Sequence, residues 1–203
     1  MTVPSSLHWL FRFFGRFGSF GFLGLSALSL AAPAAYAQAF SDPGVAFGLQ
    51  GGISKGREAD AVPVGRLHVR YRVTGMVGVE LAAAYRNEEV RVQDAPFVRL
   101  AQGQLTGSFL LFLLFDRPVQ PFLLGGGGYY YVTERGLGAN PDFQRTEHLF
   151  GFHAGGGVDV RVGRRVSVFL DARYTFLGLS NIDPGYAGKA DFTSATAGVN
   201  LYF

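Results

Sequence analysis

The sequence has no cysteine among its 203 residues. That excludes a disulfide scaffold, a thiolate metal site, a cysteine nucleophile and a lipid-modified N-terminal cysteine. Charge is scarce as well: Asp, Glu, Lys and Arg make up 16% of the chain against 48% apolar residues. That balance is too greasy for a disordered chain and low in charge for a water-soluble domain. No acidic residue precedes Asp42. After Ala37 no stretch reaches the roughly 18 continuous apolar residues a membrane helix needs, and no 3.6-residue period is sustained. Glycine is plentiful, at 29 residues, but lacks the three-residue period of collagen.

What is present begins with an export segment. Arg12 and Arg16 form a sparse basic region, an apolar stretch runs from Phe17 to Ala32, and Ala35-Tyr36-Ala37 follows. Small residues at the first and third positions of that triplet suit signal-peptidase cleavage. The chain therefore divides into a cleaved signal peptide, 1–37, and a single domain, 38–203. Cleavage also changes the charge. The formal net charge of +3 includes Arg12 and Arg16, so the remaining chain carries 16 basic against 15 acidic residues. Near-neutrality removes the electrostatic case for a nucleic-acid partner. Export without cysteine fits a bacterial periplasm or outer membrane.

Alternation with period two dominates the domain. Val45, Phe47, Leu49 and Ile53 alternate with Ala46, Gly48, Gln50 and Ser54, and Leu67, Val69, Tyr71 and Val73 alternate with Arg66, His68, Arg70 and Arg72. The pattern predicts eight strands, near 43–54, 64–73, 77–86, 99–115, 121–133, 147–162, 166–177 and 191–203. Most have about ten residues or more, the length a tilted strand needs to cross a bilayer. Short connections (Thr74-Gly75-Met76, Asp116–Gln120, Gly163-Arg164-Arg165) alternate with long polar ones (Lys55–Pro63, Asn87–Val98, Glu134–Thr146, Gly178–Ala190). In outer-membrane barrels the short turns are periplasmic, the long loops extracellular and both termini inside. The expected fold is an all-β, eight-stranded antiparallel up-and-down transmembrane barrel in the bacterial outer membrane.

Register is specified by the first short turn. Pairing Val73 with Val77 brings Tyr71 to Val79, Val69 to Leu81 and Arg70 to Glu80, and a one-residue slip would set Glu80 among apolar side chains. Alternation alone does not say which face is outside, because soluble and membrane barrels use opposite parities. Aromatic residues offer two rims on the apolar face: Tyr71, Phe115, Phe122 and Phe203 at one end, and Tyr85, Phe150, Tyr174 and Phe176 nearer the other.

The last residues favour lipid. Thr196-Ala-Gly198-Val-Asn-Leu201-Tyr-Phe203 resembles the terminal signal by which outer-membrane proteins are recognised by the barrel-assembly machinery. Its pattern is a polar residue, Gly two positions on, an apolar residue three further and a final aromatic. Pro121-Phe-Leu-Leu followed by Gly125–Gly128 and Tyr129-Tyr130 resembles a strand of the small OmpA-type and OmpX-type barrels. So do Phe150–Arg161 and Val168–Tyr174. The resemblance covers the domain and implies an architecture; OmpX-like relatives use their loops in adhesion, serum resistance or envelope stability. No peptidoglycan-binding domain is expected after the eighth strand. Gly178-Leu-Ser180-Asn181 resembles the His-x-Ser-Asn element of the lipid A deacylases, but glycine stands at the histidine position. Without a base the Ser180 hydroxyl is a weak nucleophile, so no catalytic residue is assigned. Gly125–Gly128 has no following Lys-Ser/Thr or helix and is not a phosphate cradle.

With the apolar face in lipid, the lumen receives Arg66, His68, Arg70, Arg72, Glu80, Arg86, Gln102, Gln104, His153, Asp159, Arg161, Asp171 and Arg173. An eight-stranded barrel is just wide enough for side chains to fill it. Arg70, Arg72, Glu80, Asp159, Arg161, Asp171 and Arg173 are expected to pair into an ionic network; the alternative is a narrow path for ions or small solutes. His68 and His153 lack a placed third ligand, so no metal or cofactor is expected, and His148 with Glu147 reads as an interfacial polar pair. The four long loops mix charges with Phe97 and Phe143, and loops on a rigid scaffold are where binding resides. The expected partners are outer-membrane lipids and lipopolysaccharide, the assembly machinery, and an extracellular ligand met by the loops.

Overall fold

In a computed structural model the described residues are 44–56, 60–92, 95–114, 116–136, 144–177 and 191–203, without the side chains of 88–92, 95–98 and 134. The expected signal peptide and its cleavage site lie outside them. Eight strands follow in order: β1 (Gly44–Gly56), β2 (Ala61–Arg72), β3 (Val77–Val92), β4 (Ala95–Phe112), β5 (Val119–Gly136), β6 (Gln144–Arg161), β7 (Val166–Phe176) and β8 (Phe192–Tyr202). Each pairs antiparallel with the next, and β8 returns to β1, closing the barrel. Closure removes every sheet edge within the wall, which is why strands can cross lipid at all. The anticipated register is present, with Tyr71 opposite Val79, Arg70 opposite Glu80 and Val69 opposite Leu81.

The parity that alternation leaves open is settled by exposure. Leu81 is 67% exposed and Phe109 71%, while Arg70 and Glu80 are each 1% exposed. Apolar side chains cover the outside and charged ones fill the inside, the reverse of a water-soluble barrel. Phe122 is a correction: it lies on the luminal face, 2% exposed, not on an outer rim. Its parity is that of Gln120, two residues earlier, which also points inward. Phe115 lies outside the described residues.

The long connections are a second correction. Asn87–Val98 is mostly hairpin: β3 runs to Val92 and β4 starts at Ala95, with a register shift between Val90 and Arg91. Likewise β5 extends to Gly136 and β6 begins at Gln144. Strands β4, β5 and β6 have 18 residues each, against 11 in β7 and β8. The β2–β3 ladder stops at Val64 opposite Arg86. The next residue of β2 is Pro63, which has no N–H to continue it. The β6–β7 ladder stops at Phe152 opposite Phe176. Beyond these points β3–β6 stand as a four-stranded sheet whose outward face carries Asn87, Arg99, Arg135 and Gln144, all exposed.

Inward glycines let the wall bend. A Cβ on Gly126 would lie 2.0 Å from the carbonyl oxygen of Gly107 on β4, and one on Gly157 2.1 Å from that of Leu170 on β7. At these places neighbouring backbones approach too closely for any side chain.

Candidate functional site

The centre of the lumen is a chain of ion pairs drawn from four strands. Glu80 on β3 accepts from two arginines: Arg70 Nη2 reaches Oε2 at 2.8 Å and Arg173 Nη2 reaches Oε1 at 3.0 Å. Arg70 continues to Asp159 on β6, Nη1 to Oδ2 at 3.2 Å, and Arg173 to Asp171, Nη2 to Oδ2 at 2.7 Å. The series Asp159–Arg70–Glu80–Arg173–Asp171 thus alternates in sign without a break. Neutral groups finish it. Asn200 Nδ2 donates to Asp159 Oδ2 at 3.1 Å, and its Oδ1 meets His68 Nε2 at 2.7 Å. The Thr196 hydroxyl lies 2.7 Å from Asp171 Oδ1 and also 2.7 Å from Gln50 Oε1. A hydroxyl has one proton and a carboxylate only accepts, so Thr196 donates to Asp171 and the Gln50 amide must turn its N–H₂ towards Thr196.

Apolar clusters lie to either side of these ionic groups. Towards the short turns Leu110, Phe112, Phe122 and Leu124 cluster; towards the opposite end Tyr130, Leu149, Leu177 and Phe192 do so. Cations lie over their rings: Arg72 is 3.9 Å from the Phe112 centroid and Arg86 4.0 Å from that of Phe192. Arg70 itself lies between Phe122 and Phe169, at 5.3 and 5.2 Å.

All thirteen residues expected in the lumen are buried there, but they divide in two. Arg70, Glu80, Asp159, Asp171 and Arg173 form the connected network. Arg161 joins it through an ion pair at Asp159, Nε to Oδ1 at 3.9 Å, with its guanidinium over the Tyr202 ring, while Arg72 donates from Nη2 to Gln120 Oε1 at 2.7 Å. Of the inward aromatics, Phe122 is expected from the sequence on the outer rim, and Phe112, Tyr130, Phe169, Phe192 and Tyr202 are not expected in the lumen. Carrying the parity of Gln104 along β4 to Phe112 finds one of them. Of the terminal pattern, Thr196 is luminal, Gly198 faces inward where a Cβ would meet Leu49 O at 2.5 Å, and Leu201 and Phe203 point outward. Phe203 packs edge-on against Phe47, centroids 5.7 Å apart.

His148 and Glu147 do not pair, because adjacent strand residues face opposite sides. His148 Nδ1 is hydrogen-bonded to the Tyr129 hydroxyl and its ring packs on Tyr131, while Glu147 takes Arg145. Ser180 and Asn181 lie outside the described residues. Among the described residues no three His, Asp or Glu side chains gather in a way that could hold a metal ion.

The sequence matches the family described as outer membrane protein beta-barrel domain over residues 20–203. The chain belongs to that family. No curated protein matches it in sequence. Among solved structures, this outer-membrane barrel resembles Neisserial surface protein A, with 15% identity, a TM-score of 0.61, and coverage of 79% of this chain and 97% of that one. OprG of Pseudomonas aeruginosa follows at 15% identity and TM-score 0.56, covering 80% and 95%. Ail, the attachment invasion locus protein of Yersinia pestis, has 12% identity and TM-score 0.51, covering 79% and 97%. At such identities these neighbours share the fold of bacterial outer-membrane proteins.

Proposed function

We propose that this barrel is a non-enzymatic outer-membrane protein that acts at the cell surface through the hairpins rising from β3–β6, with both termini in the periplasm. The extension of these four strands past the apolar band carries the reading. The outward face of β3 changes from Leu81, Ala83 and Tyr85 to Asn87, and six more residues, Asn87–Val92, continue as strand. At about 3.3 Å per residue that projects roughly 20 Å of sheet along the strand direction. Its borders on β3 and β6 lack a neighbour among the described residues. Unpaired strand borders accept an added strand, so an extended segment of a surface partner fits there. Lipopolysaccharide contacts the rim below, and Thr196, Gly198, Leu201 and Phe203 serve recognition by the assembly machinery. The name of Ail assigns attachment to that protein; the same class of role rests here on the projecting sheet.

A filled lumen supports a scaffold over a conduit, because the ionic groups are buried and apolar clusters lie to either side of them. Replacing residues 88–100 and 134–145 each by Asn-Gly joins paired residues through a favoured two-residue turn. The shortened protein should keep its heat-dependent gel mobility, while cells displaying it lose binding to epithelial cells or matrix proteins relative to the full chain. Equal binding would remove the hairpins from the function. Steady single-channel conductance would displace the scaffold reading. Fatty-acid release from lipid A that disappears in Ser180→Ala would establish an enzyme.

A further inference from the structure

The buried residues of the lumen include six arginines and three carboxylates, Glu80, Asp159 and Asp171, among the described residues. The carboxylates are committed except at Asp159 Oδ1, which has no hydrogen-bond partner and lies 3.9 Å from Arg161 Nε. Both Glu80 oxygens take arginine, Asp171 takes Arg173 and Thr196, and Asp159 Oδ2 takes Arg70 and Asn200. Arg66 is the cation this arrangement passes over. It is 5% exposed, and neither its Nε nor its Nη1 has a hydrogen-bond acceptor. Its place in the ladder shows why. Four residues along β2, Arg70 stands opposite Glu80, whereas Arg66 stands opposite Ala84. Where the pattern would set a carboxylate, the chain has a methyl group.

Ala84 has Gln104 as its other neighbour, on β4, and Gln104 Nε2 also lacks an acceptor while the residue is 7% exposed. His153 Nδ1 is unpartnered too, with its Nε2 held by Ser108 at 2.8 Å, and the charges of both Arg66 and Arg173 reach it. The two strand neighbours of Ala84, Arg66 and Gln104, therefore both hold N–H donors without acceptors, one of them on a buried cation.

We propose that the lumen holds a small inorganic anion of chloride size over Ala84, bound by Arg66 and flanked by Gln104. The ion takes the position that Glu80 occupies beside Arg70, and it is a structural ligand independent of any partner of the hairpins. Glu80 and Asp171 act on Arg66 only from a distance, their oxygens being bonded elsewhere. A buried guanidinium with no direct counter-charge is costly, and an anion in contact removes that cost where neutral water leaves the charge in place.

The test uses the full barrel refolded into neutral lipid vesicles. Its unfolding midpoint in chloride is compared with that in gluconate, an anion too bulky for the lumen, at equal ionic strength. The wild-type midpoint should be higher in chloride. Arg66→Met should lose that difference. Ala84→Glu supplies the internal carboxylate and should also lose it, while remaining as stable in gluconate as the wild type is in chloride. Crystals grown in bromide should show an anomalous peak beside the Arg66 guanidinium. A wild-type midpoint indifferent to chloride, a chloride effect that survives in both variants, or a bromide crystal with only water at Arg66 would each overturn the proposal.

Discussion

At the scale of single residues, Glu80 is the hinge of the lumen. Removing its carboxylate leaves two buried arginines, Arg70 and Arg173, each short of a partner. Breaking a buried pair costs about 3–5 kcal/mol, mostly because the remaining charge stays dehydrated. Glu80→Ala should therefore lower the unfolding free energy of the barrel in vesicles by about 3–5 kcal/mol, read as a fall in the urea midpoint. An unchanged midpoint would mean that water reaches and solvates both guanidinium groups. Half of this arrangement was legible in advance. Arg70 opposite Glu80 follows from a short turn and a two-residue period. The bonds from Arg70 to Asp159 and from Glu80 to Arg173 were not legible, since they cross the lumen between strands far apart in sequence. Such contacts depend on the tilt of the strands and the width of the closed barrel, which a linear pattern does not encode. The gap at Arg66 became visible only against the completed pairs.

At the scale of elements, the strands were legible where lipid or lumen imposes alternation and illegible where they leave the bilayer. Above Tyr85 on β3 no apolar face is required, so the sequence there looks like a polar loop although the backbone remains a ladder. Glycine shows the same dependence on context. Gly126 faces inward and its absent Cβ would lie 2.0 Å from Gly107 O, whereas a Cβ on Gly103 would meet nothing within 4 Å. Because the obstacle at Gly126 is backbone, it has little freedom to yield. Gly126→Ala should cost about 1–3 kcal/mol by overpacking and reduce the yield of heat-resistant folded barrel. Gly103→Ala should leave both unchanged. Equal effects at the two positions would show that glycine acts here through chain flexibility and not through close approach.

At the scale of the molecule, the governing fact is that the apolar surface is outside. Leu81 sits at the middle of the outward row Val77, Val79, Leu81, Ala83 and Tyr85. Arginine at mid-bilayer on a lipid-facing strand costs about 2–4 kcal/mol, falling to about 0–1 near the interface. Leu81→Arg should accordingly destabilise the barrel in vesicles far more than Asn87→Arg, and similar effects would place the band elsewhere on the wall. The ionic layer has a consequence for how such a wall is completed. Its members come from β2, β3, β6 and β7, and Asn200 of β8 joins them at Asp159. A sheet not yet sealed along β1 and β8 holds these charges without their cross-lumen partners, so a half-built barrel stays wet inside. Sealing the seam brings the charges together. The lumen should thereby act as a latch on assembly, favouring the finished ring over partial ones, and refolding followed on an unboiled gel should pass from unfolded to closed barrel with no half-closed band between them.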